Sequence, residues 1–171
     1  LDASAEKVGA VNVIQIENGQ LRGFNSDYYG FLESLKPWLP STDIDALILG
    51  TGGASMAVAA VLQDLSIGYT FVSRTAKADQ YTYAGLKASP EIVKNHKLII
   101  NTTPVGMFPD VEDCPDLPYG AISRDHFVFD LLYHPLKSKL LLKAEQNQAQ
   151  IKNGLEMLHL QAEKSWDIWN A

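Results

Sequence analysis

Short, largely apolar runs at residues 45–49, 69–73, 97–101 and 127–132 recur along the chain, and helix-compatible segments fill the intervals between them. A strand that is apolar on both faces must be buried on both, which is the condition of an inner strand in a parallel sheet. Parallel neighbours cannot be joined by a tight turn, so the intervals must carry crossover helices. The pattern therefore predicts an α/β fold: a doubly wound, mainly parallel, Rossmann-type sheet with helices on both faces.

Ahead of that sheet, residues 10–16 and 20–24 flank Asn18-Gly19, a two-residue turn signal, and predict a short β-hairpin. Asn25, Ser26 and Asp27 then offer N-cap chemistry to a helix that carries Phe31, Leu32, Leu35 and Trp38 and is closed by Pro37 and Pro40. Further helices are expected over 55–65, 75–86, 136–147 and 155–169, with a shorter one near 90–95 and a last short strand at 150–152. Residues 102–119 hold four prolines and form one long loop, a feature that in compact domains tends to carry function. Neither a repeat nor a low-complexity linker divides the chain, so a single domain over 1–171 is expected.

Charge narrows the partners. With 14 Lys+Arg against 20 Asp+Glu, the net charge is −6 and no basic run occurs, so nucleic acid and anionic membranes have no electrostatic support. A small molecule is the expected ligand. The longest apolar stretches fall well short of the roughly 18 residues a membrane helix requires, and the lone Cys114 cannot form an internal disulfide. Both features suggest a protein of a reducing compartment, the cytoplasm. His96, His126, His134 and His159 show no metal-ligand spacing with Cys114 or with a carboxylate cluster, so no metal is expected.

Ligands of doubly wound sheets bind at the carboxyl ends of the strands. There, Gly50-Thr51-Gly52-Gly53-Ala54-Ser55 joins a buried strand to a helix, where glycines let the backbone approach a pyrophosphate at the helix N-terminus. The same glycines would also suit a bare tight turn. About twenty residues on, an NAD site would show an acid for the ribose hydroxyls, but this chain has Ser73-Arg74-Thr75. A guanidinium offers a planar fork of donors to a 2′-phosphate, so NADP is favoured over NAD. By residue type alone, Asp27 suits an N-cap and a site carboxylate equally well.

Seven ordered segments now make the chain similar to a known family. They are Gly9-Ala10-Val11-Asn12, Gly23-Phe24-Asn25-Ser26-Asp27, the glycine turn, Ser73-Arg74-Thr75, Asn101-Thr102-Thr103-Pro104-Val105-Gly106-Met107, Asp130-Leu131-Leu132-Tyr133, and Asn153-Gly154-Leu155-Glu156-Met157 with Gln161-Ala162. In order and spacing they resemble the shikimate dehydrogenases. The resemblance implies reversible reduction of 3-dehydroshikimate to shikimate with NADPH, in aromatic amino-acid biosynthesis.

Through that resemblance, Asp27 becomes the cleft carboxylate that pairs with a lysine, with Ser26 standing where the family has threonine. Asn12, Tyr133 and Gln161 become substrate contacts. Gly50, Thr51, Gly52, Gly53 and Ala54 cradle the pyrophosphate, while Ser73, Arg74, Thr75 and Lys77 surround the adenosine phosphate. Asn101, Thr102 and Thr103 line the nicotinamide ribose; Leu131 and Gly154 meet the nicotinamide face, and Met157 forms an apolar wall.

The family's lysine and its Ser-x-Ser pair belong to an N-terminal substrate domain, and none of Lys7, Lys36, Lys77 or Lys87 carries the matching motif. The resemblance thus implies a cofactor-binding portion, inactive alone, in which residues 1–27 and 153–171 contribute to the substrate cleft. A homodimer is compatible with this reading. A quinate/shikimate dehydrogenase using NAD and a non-catalytic NADP-binding module are the alternatives.

Overall fold

In the computed structural model, which describes residues 1–75 and 77–171, the central sheet comprises β3 (Asp45–Leu49), β4 (Gly68–Ser73), β5 (Tyr81–Thr82), β6 (Leu98–Asn101), β7 (Phe127–Asp130) and β8 (Gln150–Lys152). Their order is β5-β4-β3-β6-β7-β8, and every pairing is parallel. The crossovers are α3 (Gly53–Asp64), α4 (Tyr83–Ala88), α5 (Glu91–Asn95) and α6 (Lys139–Gln146), and α7 (Leu155–Trp169) comes after the last strand. Preceding the sheet are α1 (Ala3–Val8), the antiparallel hairpin β1 (Val13–Glu17) and β2 (Gln20–Phe24), and α2 (Ser26–Leu35).

Strand alternation divides the core. Leu47 and Leu49 of β3 point to one face, where they join Val72, Ile99 and Val128 under α4, α5 and α6. Ala46 and Ile48 point to the other, joining Leu98, Ile100 and Phe129 under α2, α3 and α7. Period-2 side-chain direction with both faces covered explains why β3 has no polar residue after Asp45. On the second face Gly30 of α2 lets α7 come close, since a Cβ there would lie 2.8 Å from the Met157 carbonyl oxygen.

Several boundaries depart from the sequence expectation, each for a local reason. Helix α1 has no counterpart among the expected elements; Asp2 caps it by accepting from the Ser4 N–H, and Gly9 closes it at φ 71°. Six residues are too few for a helix to persist alone, and Val8 is held by packing on Ala57 and Ala60 of α3. The hairpin turns at Asn18 and Gly19, both in the left-handed region, but its first strand starts at Val13. Asn12 instead turns its side-chain oxygen to accept the Ser26 N–H at 2.8 Å.

The cap of α2 is Asn25, which accepts from the Tyr28 N–H at 3.1 Å, so Asp27 sits in the first turn and is not the cap. The helix ends at Leu35, and Trp38 beyond it stands edge-on to Phe127 and Phe129. The helix expected over 75–86 is largely replaced. Arg74 and Thr75 lie in a bend, Tyr81–Thr82 pairs with Val72 and Ser73 as an edge strand, and Thr82 caps α4; Ala76 lies outside the described residues. Strand β7 stops at Asp130, whose carboxylate accepts the Leu132 N–H, and α6 waits for Ser138 as its cap. Among the described residues no helix is long and apolar enough to cross a membrane.

His126, only 1% exposed, ties α5 to the turn before β7. Its Nε2 lies 2.9 Å from the Val93 carbonyl oxygen, an acceptor only, and its Nδ1 receives the Ser123 N–H at 3.1 Å. These partners select the neutral ring with hydrogen on Nε2. Burial lowers its pKa and the Lys97 charge adds to this, against the opposing pull of the Val93 carbonyl and Asp125. The unfolded chain therefore takes up the proton first: His126's contribution is complete above about pH 6.5 and is lost as pH falls through the lowered folded value. Urea midpoints at pH 7.5 and 5.5 should show this loss, and His126→Gln should reduce the difference; equal differences in the two proteins would contradict it.

Candidate active site

The carboxyl end of β3 is forced into one conformation. Gly50 has φ +101°, its N–H donates to the Val72 carbonyl at 2.8 Å, and a Cβ on it would lie 2.8 Å from Thr103 Cγ2 and 2.9 Å from Thr102 Oγ1. Only glycine meets both the backbone and the space requirement. Thr102 closes the turn from β6, its N–H and hydroxyl both donating to the Leu49 carbonyl, at 3.0 and 2.6 Å.

Beyond this turn the start of α3 is open. Gly52 caps α3 without a side-chain hydrogen bond, no acid lies in its first turn, and the space over Gly52 and Gly53 is empty to 4 Å around a notional Cβ. Ser55 does not compete for a ligand, because its hydroxyl folds back onto the Gly52 carbonyl at 2.6 Å. Free N–H groups and the positive end of a 12-residue helix dipole make this a place for an anion.

One strand away, Arg74 lies just past the end of β4 and is exposed, as are Thr75 and Lys77. Among the described residues no ion pair engages Arg74 or Lys77. Ser73 fixes the bend by donating to the Thr75 carbonyl at 2.6 Å. The arginine charge reaches Tyr83, whose hydroxyl pKa burial raises and Arg74 partly restores.

On the other side of β3, Asn101 at the end of β6 is fully buried. Its side-chain oxygen accepts from the Thr103 N–H and hydroxyl, at 3.1 and 2.7 Å, and its amide donates to Asp130. Asn101 thus shapes the Thr102-Thr103 turn from beneath and leaves Thr103 at the surface edge. Leu131 and Gly154 touch: a Cβ at Gly154 would stand 1.9 Å from the Leu131 carbonyl oxygen, while its N–H donates to the Leu132 carbonyl at 2.9 Å. Met157, 7% exposed, packs in the core with Phe31 and Phe129.

A second polar group gathers where the hairpin, α2 and α7 meet. Ser26, 1% exposed, donates its N–H to Asn12, its hydroxyl lies 3.2 Å from Gln161 Oε1, and the Ser165 hydroxyl donates to it at 3.1 Å. Asp27, next in the chain, is half-buried; burial raises its pKa and the Asn12 amide opposes the rise. Asn12, Asp27 and Gln161 are thus brought together, with Ser26, which the sequence offered only as N-cap chemistry and in place of the family's threonine, as their link. Tyr133 lies on the exposed loop after β7, and no hydrogen bond among the described residues joins it to this group.

A concavity of about 510 Å³ lies against the hairpin, beside Gln15, Gln20 and Arg22, and no residue of the glycine turn lines it. Among the described residues no three His, Cys, Asp or Glu side chains are grouped to hold a metal.

No family model matches the chain. It is 36% identical over 189 residues to the NADP-dependent shikimate dehydrogenase of Methanococcus maripaludis, covering 99% of this chain and 65% of that protein. The crystal structure of shikimate dehydrogenase from Aquifex aeolicus superposes with a TM-score of 0.85 at 34% identity, covering 99% of this chain and 64% of that one. The Thermus thermophilus enzyme, crystallised with NADP(H) and shikimate, gives 0.83 at 30% identity over 98% and 65%. The chain spans about 65% of the length of the curated relatives it matches.

The two glycine environments predict opposite outcomes. Gly154→Ala must push the Leu131 backbone away and should lower stability by about 2 kcal/mol or more in urea denaturation. Gly53→Ala enters open space at a helix start and should leave stability unchanged or raise it by up to about 1 kcal/mol. A Gly154→Ala protein as stable as the parent would contradict the close contact.

Proposed function

We propose that this chain, similar over 98–99% of its length to shikimate dehydrogenases, holds the nucleotide of an NADP-dependent oxidoreductase that interconverts shikimate and 3-dehydroshikimate. The observation that carries this reading is the pairing of an uncapped α3 N-terminus under open space with an exposed guanidinium one strand away. The donor set fits the group: Gly50, its own N–H held by Val72, shapes the turn, and the amides of Thr51, Gly52, Gly53 and Ala54 suit a pyrophosphate. Arg74 suits a 2′-phosphate, with Ser73, Thr75 and Lys77 around it.

Thr102 and Thr103 are assigned to the nicotinamide ribose, shaped from below by Asn101. Leu131 and Gly154 provide a main-chain platform for the nicotinamide, and Met157 backs it from the core. NADPH, when bound, supplies a hydride to the substrate keto carbon.

Residues 1–27 and 153–171 form this chain's share of the substrate cleft. Asn12 and Gln161 offer amides to substrate hydroxyls, and Tyr133 a hydroxyl to the carboxylate. Asp27 accepts from a substrate hydroxyl and orients the ammonium that hands a proton to the carbonyl oxygen. Its raised pKa fits a carboxyl still lacking that cation. We assign the lysine to a substrate domain in the part of the relatives outside the match, so this chain alone should bind nucleotide and turn over nothing. The single cysteine fits a cytoplasmic enzyme.

An NAD-preferring enzyme would have no use for Arg74, and a bare nucleotide-binding module none for the Asn12, Asp27 and Gln161 group. Calorimetry should find that Arg74→Ala weakens NADP binding by about 10- to 100-fold, the worth of a lost charge-assisted clamp of about 1–3 kcal/mol, and leaves NAD affinity unchanged. Equal NADP affinity in parent and variant would refute the assignment of Arg74.

A further inference from the structure

Asp130 is fully buried at the end of β7 and is itself assigned no ligand contact above. No ion pair involves it among the described residues. Its surroundings are instead three donors from three segments. Oδ1 accepts from the Asn101 amide at 2.9 Å and from the Leu132 N–H at 3.1 Å; Oδ2 accepts from the Ser138 hydroxyl at 2.5 Å.

Each donor passes the constraint onward. Asn101 holds the Thr103 N–H and hydroxyl. The Leu132 carbonyl receives the Gly154 N–H, and Gly154 presses on Leu131. Ser138 caps α6, accepting the Leu141 N–H at 3.4 Å. A buried carboxylate with satisfied acceptors fixes its donors in one arrangement, because any loosening leaves a polar group unpaired away from water.

Resting on the nucleotide reading, we propose that Asp130 is a positioning residue that sets the Thr102-Thr103 turn and the Leu131–Gly154 contact together, so that one side chain fixes both walls of the nicotinamide half of the site. The adenosine half, built on Gly50–Ala54 and Arg74, shares none of its hydrogen bonds. Removing Asp130 should therefore weaken binding of the nicotinamide half selectively.

The test compares NADPH with adenosine 2′,5′-bisphosphate, which carries the adenosine and 2′-phosphate but no nicotinamide, on the 171-residue chain. Asp130→Ala should raise the NADPH dissociation constant about tenfold or more and leave that of the bisphosphate within about twofold. Asp130→Asn keeps the Oδ1 acceptor and turns an amide donor to Ser138, so it should recover most of the NADPH affinity. A folded Asp130→Ala protein that binds NADPH like the parent, or loses both ligands in equal proportion, overturns the proposal. If Asp130→Ala does not fold, Ser138→Ala removes one donor from the same carboxylate. Selective NADPH weakening in that variant supports the role, and unchanged or equally weakened binding of both ligands overturns it. A parent chain that binds neither ligand overturns the nucleotide reading and this proposal with it, an outcome distinct from loss of selectivity.

Discussion

The structure hinges on the impossibility of a side chain at position 50. Strand β3 is buried from Ala46 to Leu49 and flanked on both sides by parallel neighbours, so its carboxyl end emerges where the sheet's connections diverge, towards β4 on one side and β6 on the other. The chain must turn there at once and begin a helix. Gly50 does so at positive φ, tied to Val72 and overhung by Thr102 and Thr103, which leaves no room for a Cβ. Everything assigned to nucleotide binding depends on that turn: α3 starts above the sheet edge with its first amides unengaged, β4 delivers Arg74 alongside, and β6 delivers the two threonines.

A second constraint acts where the hairpin, α2 and α7 meet. Gly30 brings α7 against α2 closely enough for Gln161 and Ser165 to reach Ser26, while the hairpin supplies Asn12 to the same serine. Burying one small hydroxyl residue thus collects three segments remote in sequence into a polar patch beside Asp27. Burial raises the pKa of Asp27, and the Asn12 amide opposes the rise.

The inner strands and the glycine turn were legible because their signals are local: unbroken apolar runs, then glycines at the one point where a buried strand must reverse. Local signals failed where tertiary partners decide. Helix α1 has six residues and persists by docking on α3, and Tyr81–Thr82 became an edge strand by pairing with Val72–Ser73 within a polar stretch that suited a helix. Asn25 took the cap that Asp27 could have filled, which left the aspartate in the first turn without a capping role. Ser26 and Asp130 were hardest to see. Ser26 meets Gln161 across 135 positions and Asp130 meets Asn101 across 29, separations at which sequence periodicity carries no information.

The central claim is that a single ligand bridges the α3 N-terminus and the bend at Arg74. Phosphorus NMR of NADP+ titrated with the chain tests it directly, since the pyrophosphate and the 2′-monophosphate give separate resonances. Both resonances should shift together and with one binding curve. If neither moves at millimolar ligand, or the pyrophosphate moves while the 2′-phosphate keeps its free position, the two elements do not form one site and the claim is contradicted.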